Sequence, residues 1–120
     1  MYTVAVLGAS PKADRYSNKA VFELAQHGHV VFPINPSAEQ IHEQKCYPNL
    51  ATVPTEIHTL TLYVGTDRLS QLQPEILQLR PKRIIMNPGA ENDELEAAAL
   101  AQQIEVIRGC TLVMLRTGQF

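Results

Sequence analysis

Five short apolar runs, each closed by turn-forming residues and set apart by longer amphipathic stretches, dominate this sequence. They are Tyr2 to Leu7, His29 to Ile34, Leu60 to Val64, Arg83 to Met86 and Ile104 to Ile107. Within each run apolar residues follow one another without strict alternation. Strands of that kind are buried on both faces, as in a parallel sheet. The stretches between them carry helical signals. Ser17 or Asn18 is placed to cap a helix reaching about His27, with Val21, Leu24 and Ala25 on one face and Gly28 at the C′ position. Thr66 or Asp67 opens a second helix ending near Leu79, with Pro74 either in the first turn of its main part or at a kink. Asn92 or Asp93 caps a third, alanine-rich helix to about Gln103.

Between the second and third runs the pattern is less regular. Ser37 is placed to cap one short helical turn, and Lys45-Cys46-Tyr47 to form a brief edge strand. Pro48 and Pro54 exclude long regular structure there. Thr111 to Leu115 is apolar but of no assignable type. Strands alternating with helices, joined by right-handed crossovers, predict an α/β, Rossmann-like doubly wound fold. The sheet is expected to be mostly parallel and five- or six-stranded, with helices on both faces. A chain of 120 residues with 45% apolar content fits one domain, residues 1–120, with a real core.

Composition narrows the function. The formal net charge is −2, with 18% charged residues, and Lys and Arg are scattered. A nucleic-acid partner is therefore not expected. No basic stretch leads into a long apolar run, so neither a signal peptide nor a membrane span is expected. Cys46 and Cys110 form no CxxC pair, which points to a reducing, cytoplasmic setting. His27, His29, His42 and His58 lack metal-ligand spacing, so no metal is expected. His27 suits the negative end of its helix.

In a doubly wound sheet, ligands bind beyond the carboxyl ends of the strands. The first loop there, Gly8 to Asn18, carries the strongest signal. It leads into a helix start whose free amides favour an anion, with Ser10 and Ser17 hydroxyls and the cations Lys12 and Arg15 nearby. The third helix instead opens with Glu91, Asp93 and Glu94, which already complement its positive end and repel phosphate. The dinucleotide fingerprint GxGxxG is absent, with only Gly8 present. Neutral Asn35, followed by Pro36, ends the second strand where a classical NAD site has a carboxylate. That position tolerates a ligand phosphorylated on its adenosine ribose.

Val4 to Ser17 (VAVLGASPKADRYS), His27 to Pro36 (HGHVVFPINP), Lys45 to Leu50 (KCYPNL), Asn87 to Asn92 (NPGAEN) and Glu105 to Cys110 (EVIRGC) together resemble the small stand-alone CoA-binding proteins. These are similar to the nucleotide-binding domain of the succinyl-CoA synthetase α subunit. The resemblance implies coenzyme A as cofactor and non-catalytic binding of CoA or acyl-CoA. Gly8, Ala9, Ser10, Arg15, Tyr16 and Ser17 would line its phosphate end. Asn35 and Pro36 would flank the adenosine, and Val64 and Gly65 with Pro88 and Gly89 the pantetheine arm. The sequence departs from that family at His42-Glu43-Gln44, where a glycine is usual, at Tyr63 to Thr66, and in its apolar end. No phosphohistidine loop is visible, so the ligase reaction does not carry over.

Two alternatives stay open. One is an NAD(P)-binding regulatory domain. The other is an acyl-transfer enzyme using Cys110, although a buried structural cysteine is the simpler reading. The alanines Ala97, Ala98, Ala99 and Ala101 would pack on the sheet or in a homodimer interface.

Overall fold

The computed structural model describes residues 1–120. In chain order the elements are β1 (Thr3–Leu7), α1 (Tyr16–Gln26), β2 (Val30–Ile34), β3 (Gln40–Ile41), β4 (Gln44–Lys45), a 3-10 turn (Leu50–Thr52), β5 (Thr59–Leu62), α2 (Thr66–Leu79), β6 (Arg83–Met86), α3 (Asp93–Ala101), β7 (Glu105–Arg108) and α4 (Thr111–Arg116). Five strands form one sheet in the order β2-β1-β5-β6-β7, and every pairing is parallel. The expected fold is therefore present, in its five-stranded form.

Successive residues of β1 enter different cores, as a pleated strand requires. Val4 and Val6 pack with Val21 and Leu24 of α1 and with Leu112 and Leu115 of α4. Ala5 and Leu7 pack with Leu69 and Ile76 of α2 and with Leu95 and Ala99 of α3. Both faces of the sheet are thus covered, which explains apolar runs without alternation. The strand order reverses between β1 and β5: β2 is added on one side of this pair, β6 and β7 on the other. The crevice at their carboxyl ends is the switch point of the sheet.

Several local expectations are revised. Neither Ser17 nor Asn18 caps α1. Arg15 occupies the N-cap with no side-chain bond, while Ser17 and Asn18 lie inside the helix and are buried. The α2 helix runs through Pro74 unbroken, because buried Leu69 and Ile76 anchor both sides of the one amide the ring removes. Ser37 starts no helical turn. Its amide and that of Ala38 donate to Asn35 Oδ1, both at 2.8 Å, which closes an Asx turn instead. A small antiparallel hairpin follows, β3 to β4, and Tyr47 bridges Ile34 beyond it. The fifth sheet strand starts one residue later than the apolar run, at Glu105. The apolar stretch after Cys110 is the short helix α4.

Other expectations hold. Asn92 caps α3, accepting the Leu95 amide at 2.8 Å. Gly28 follows α1 with φ +83°, and the His27 ring meets the Glu23 carbonyl at 2.8 Å at that helix end. Among the alanines of α3 only Ala99 is fully buried, against the sheet side, while Ala97 and Ala101 face solvent. No helix is long and apolar enough to cross a membrane.

Candidate functional site

The site is built around Gly8. At φ +85° it turns the chain sharply off the end of β1. A Cβ there would lie 2.7 Å from Val64 Cγ1 and 2.8 Å from the Tyr63 carbonyl oxygen. Only glycine lets the loop press this closely on the end of β5. Beyond it, the loop is held by two asparagines. Asn35 Nδ2 donates to the Ala9 carbonyl at 2.9 Å, and Asn18 Nδ2 donates to the Ser10 carbonyl at 2.9 Å. With those carbonyls turned away, the backbone amides of Gly8, Ala9, Ser10, Tyr16 and Ser17 find no backbone acceptor.

The start of α1 differs from those of the other long helices. It has no side-chain cap and no acidic residue in its first turn. By contrast, α3 is capped by Asn92 and opens with Asp93, Glu94 and Glu96, and α2 opens with Asp67. Asp93 and Glu96 are moreover paired with Arg108. Lys12 and Arg15 beside α1 are exposed and make no ion pair. The positive end of α1 thus carries no carboxylate in its first turn and is flanked by two unpaired cations against the single exposed Asp14, an arrangement suited to an anion.

Gly8, Ser10, Arg15, Tyr16 and Ser17 line one open hollow of ≈ 290 Å³, completed by Tyr63. A second hollow of ≈ 380 Å³ adjoins it through the shared walls Tyr16 and Tyr63. It runs between α1 and α4 and is bordered by Asn87, Pro88, Cys110, Leu112, Val113 and Arg116. No histidine or carboxylate lines either hollow. A larger hollow of ≈ 630 Å³ lies at the opposite end of the strands, by the amino end of β5. Its charged lining is Glu56 and Glu75, with no Lys or Arg, so it opposes a phosphate ligand.

Five of the sequence-predicted residues therefore share one hollow, and Pro88 lies in the next. Ala9 is buried beneath the loop, exposing 2%. Asn35, Pro36, Val64, Gly65 and Gly89 line neither hollow. Asn35 spends its amide as a strut on Ala9 and its oxygen on the Asx turn. Val64 is the surface against which Gly8 fits. Gly65 is the N-cap of α2, and the Gly89 amide donates to Glu91 Oε1 at 2.9 Å.

Sequence reasoning missed Tyr63, Asn87 and the α4 residues Leu112, Val113 and Arg116. Asn87 organises the floor. Its Nδ2 donates to Thr61 Oγ1 at 2.7 Å and to the Leu62 carbonyl at 2.8 Å. Its Oδ1 accepts the Thr111 amide at 2.8 Å, and the Thr61 and Thr111 hydroxyls meet at 2.7 Å. Arg116 is held by Glu23 through contacts of 3.1 and 2.6 Å, which lock α4 to α1. Cys110 is half-buried at the N-cap of α4 and forms no disulfide; it packs against the α1-side core and also borders the second hollow. Cys46 is buried, and that burial pushes its thiol pKa up.

Comparison with known proteins agrees with this fold. A solved structure of an uncharacterized protein superposes with a TM-score of 0.93 at 36% identity, covering 100% of this chain and 98% of that one. A protein from Thermus thermophilus superposes with a TM-score of 0.90 at 26% identity, covering 99% and 90%. The acetate–CoA ligase (ADP-forming) II of Archaeoglobus fulgidus is 29% identical over 99 residues, which is 81% of this chain. The chain spans only 15% of that ligase's length. A dinucleotide-forming acetyl-coenzyme A synthetase 1 of Ca. Korarchaeum cryptofilum shares the fold, with a TM-score of 0.75 at 24% identity, covering 90% of this chain and 25% of that one. Residues 2–116 match the family described as CoA binding domain, and a match across nearly every element makes this chain a member of that family.

Proposed function

We propose that this chain is a single non-catalytic domain that binds coenzyme A or an acyl-CoA in a reducing, cytoplasmic setting. The observation that carries the reading is the ring of free amides at Gly8, Ala9, Ser10, Tyr16 and Ser17 around an uncapped helix start. A pyrophosphate there accepts from several amides at once and lies against the positive end of α1. Arg15 is the mobile cation that closes over it, and the Ser10 and Ser17 hydroxyls add donors. The adenosine end lies toward Asn35 and Pro36, and the arm leaves past Tyr63 into the second hollow at Pro88, with Val64, Gly65 and Gly89 behind the wall rather than on it. Two unpaired cysteines fit the reducing compartment.

Titration calorimetry with CoA tests this. The wild-type chain is expected to bind, and Arg15→Ala to bind about tenfold more weakly, the usual loss for a charge-assisted bond. NADH, lacking the ribose phosphate and the arm, is expected to compete poorly. No heat and no thermal shift with CoA in the wild-type chain defeats the proposal.

A further inference from the structure

Three buried side-chain polar atoms have no hydrogen-bond partner: Tyr63 Oη, Gln73 Oε1 and Arg83 Nη2. Of these residues only Tyr63 lines the two hollows at the switch point, and it forms the wall common to both. Its hydroxyl oxygen exposes less than 1 Å². The Thr111 and Thr61 hydroxyls lie close to it, but they bond each other and Asn87, and neither meets the Tyr63 oxygen with hydrogen-bond geometry. A buried hydroxyl left unpaired is costly, and its persistence beside a binding cavity calls for a partner that arrives from outside.

The rest of the second hollow defines that partner. Pro88, Leu112, Val113 and Cys110 give it an apolar wall. Its one cation, Arg116, is neutralised by Glu23. An anionic group entering there meets no free positive charge and loses its hydration. A neutral acceptor does not face that penalty. Burial pushes the Tyr63 hydroxyl pKa up to about 12, outweighing the opposing pull of the nearby Thr111 and Thr61 hydroxyls, so it keeps its proton and acts as a donor at neutral pH.

We infer that Tyr63 is a specificity-determining residue whose hydroxyl donates to a neutral carbonyl, amide or thioester, on the ligand's arm, with the arm's end seated between α1 and α4. This rests on the CoA reading above and adds a direction for the arm and a preference for uncharged acyl groups.

The test compares wild-type and Tyr63→Phe by calorimetry with CoA, acetyl-CoA and adenosine 3′,5′-bisphosphate, which carries the nucleotide end without the arm. Tyr63→Phe is expected to weaken CoA and acetyl-CoA by about three- to tenfold, one neutral hydrogen bond, and to leave the armless nucleotide unchanged. Loss with both arm-bearing ligands supports an amide acceptor, and loss with acetyl-CoA alone supports the thioester. Unchanged binding of both, or equal loss with all three, overturns the inference while leaving the CoA reading in place. A wild-type chain that binds none of the three overturns both. Tyr63→Phe keeps the ring and its packing, so folding is not at issue.

Discussion

Asn87 and Thr111, 24 residues apart in sequence, meet through a 2.8 Å bond from the Thr111 amide to Asn87 Oδ1. That bond fixes the start of α4 to the end of β6. Asn87 also reaches across to β5, at Thr61 Oγ1 and the Leu62 carbonyl. Asn87 exposes 2%, and Thr61 and Thr111 none. Removing the asparagine side chain strands a buried amide and a buried carbonyl together. Asn87→Ala is expected to destabilise the fold by about 3 kcal/mol in denaturant titration. A double-mutant cycle with Thr61→Val is expected to show strong coupling, because the two side chains share a bond. Additive losses would mean the network is not cooperative.

Gly8 is expected to tolerate no side chain. Alanine there faces a left-handed backbone and a Cβ 2.8 Å from the Tyr63 carbonyl, main chain at the end of the central strand β5 that cannot swing away. Gly8→Ala is expected to cost about 2 kcal/mol or more, the sum of an unfavourable φ and a steric shift. The CoA-induced thermal shift should fall with it, since the loop can relieve the clash only by moving off the switch point. A stability change under about 0.5 kcal/mol, typical of unconstrained sites, would contradict the close approach.

How much of this was legible from residue order depends on where each constraint comes from. The five sheet strands and the three longer helices follow from local periodicity, and the Gly8 to Ser17 loop follows from its place between a buried strand and a helix. The α4 helix was not readable. Its six residues include Thr111 and Val113, poor helix formers, and what holds them is distant: Leu112 and Leu115 in the α1-side core, and Arg116 on Glu23. The β3–β4 hairpin was hidden for a similar reason. Its turn places His42 at φ 47° and Glu43 at φ 66°, where glycine is the usual signal. His42 is held there by contact with Asn18 Oδ1 at 2.6 Å and with the Phe22 ring. Tyr63 and Asn87 acquire their roles only when β5, β6 and α4 converge.

At the amino ends of the strands, Tyr2 stacks on His58 at 3.9 Å and on His29 at 5.6 Å between ring centres. Burial lowers the pKa of both histidines below 6.5, aided for His29 by the amino terminus and His27, and for His58 by Arg83 and Lys82, against an opposing pull from Glu105. The folded state therefore binds these protons less readily than the unfolded chain. Stability is fully present above pH 6.5 and falls as pH drops from there toward the folded-state values. His29 Nδ1 also accepts the Tyr2 amide at 3.0 Å, a bond that protonation destroys. Urea midpoints are expected to be lower at pH 5.5 than at pH 7.5 (about one unit either side of the free histidine value). The difference should shrink in a His29→Phe, His58→Phe variant. An undiminished difference in that variant would assign the effect to other groups.

Tyr63 ties stability to binding in opposite directions. In the free protein its hydroxyl is buried without a partner, so the oxygen contributes desolvation cost and no bond. Tyr63→Phe removes that oxygen while keeping the ring against the core that α1 and α4 share. The ligand-free variant is expected to be as stable as the wild type or more so, by up to about 1 kcal/mol. With saturating CoA the order should reverse in thermal shift, because the wild-type hydroxyl then gains its acceptor. A variant less stable than the wild type without ligand would mean that the hydroxyl already has a partner within the fold, most directly Thr111. The arm-binding role would then lose its physical basis.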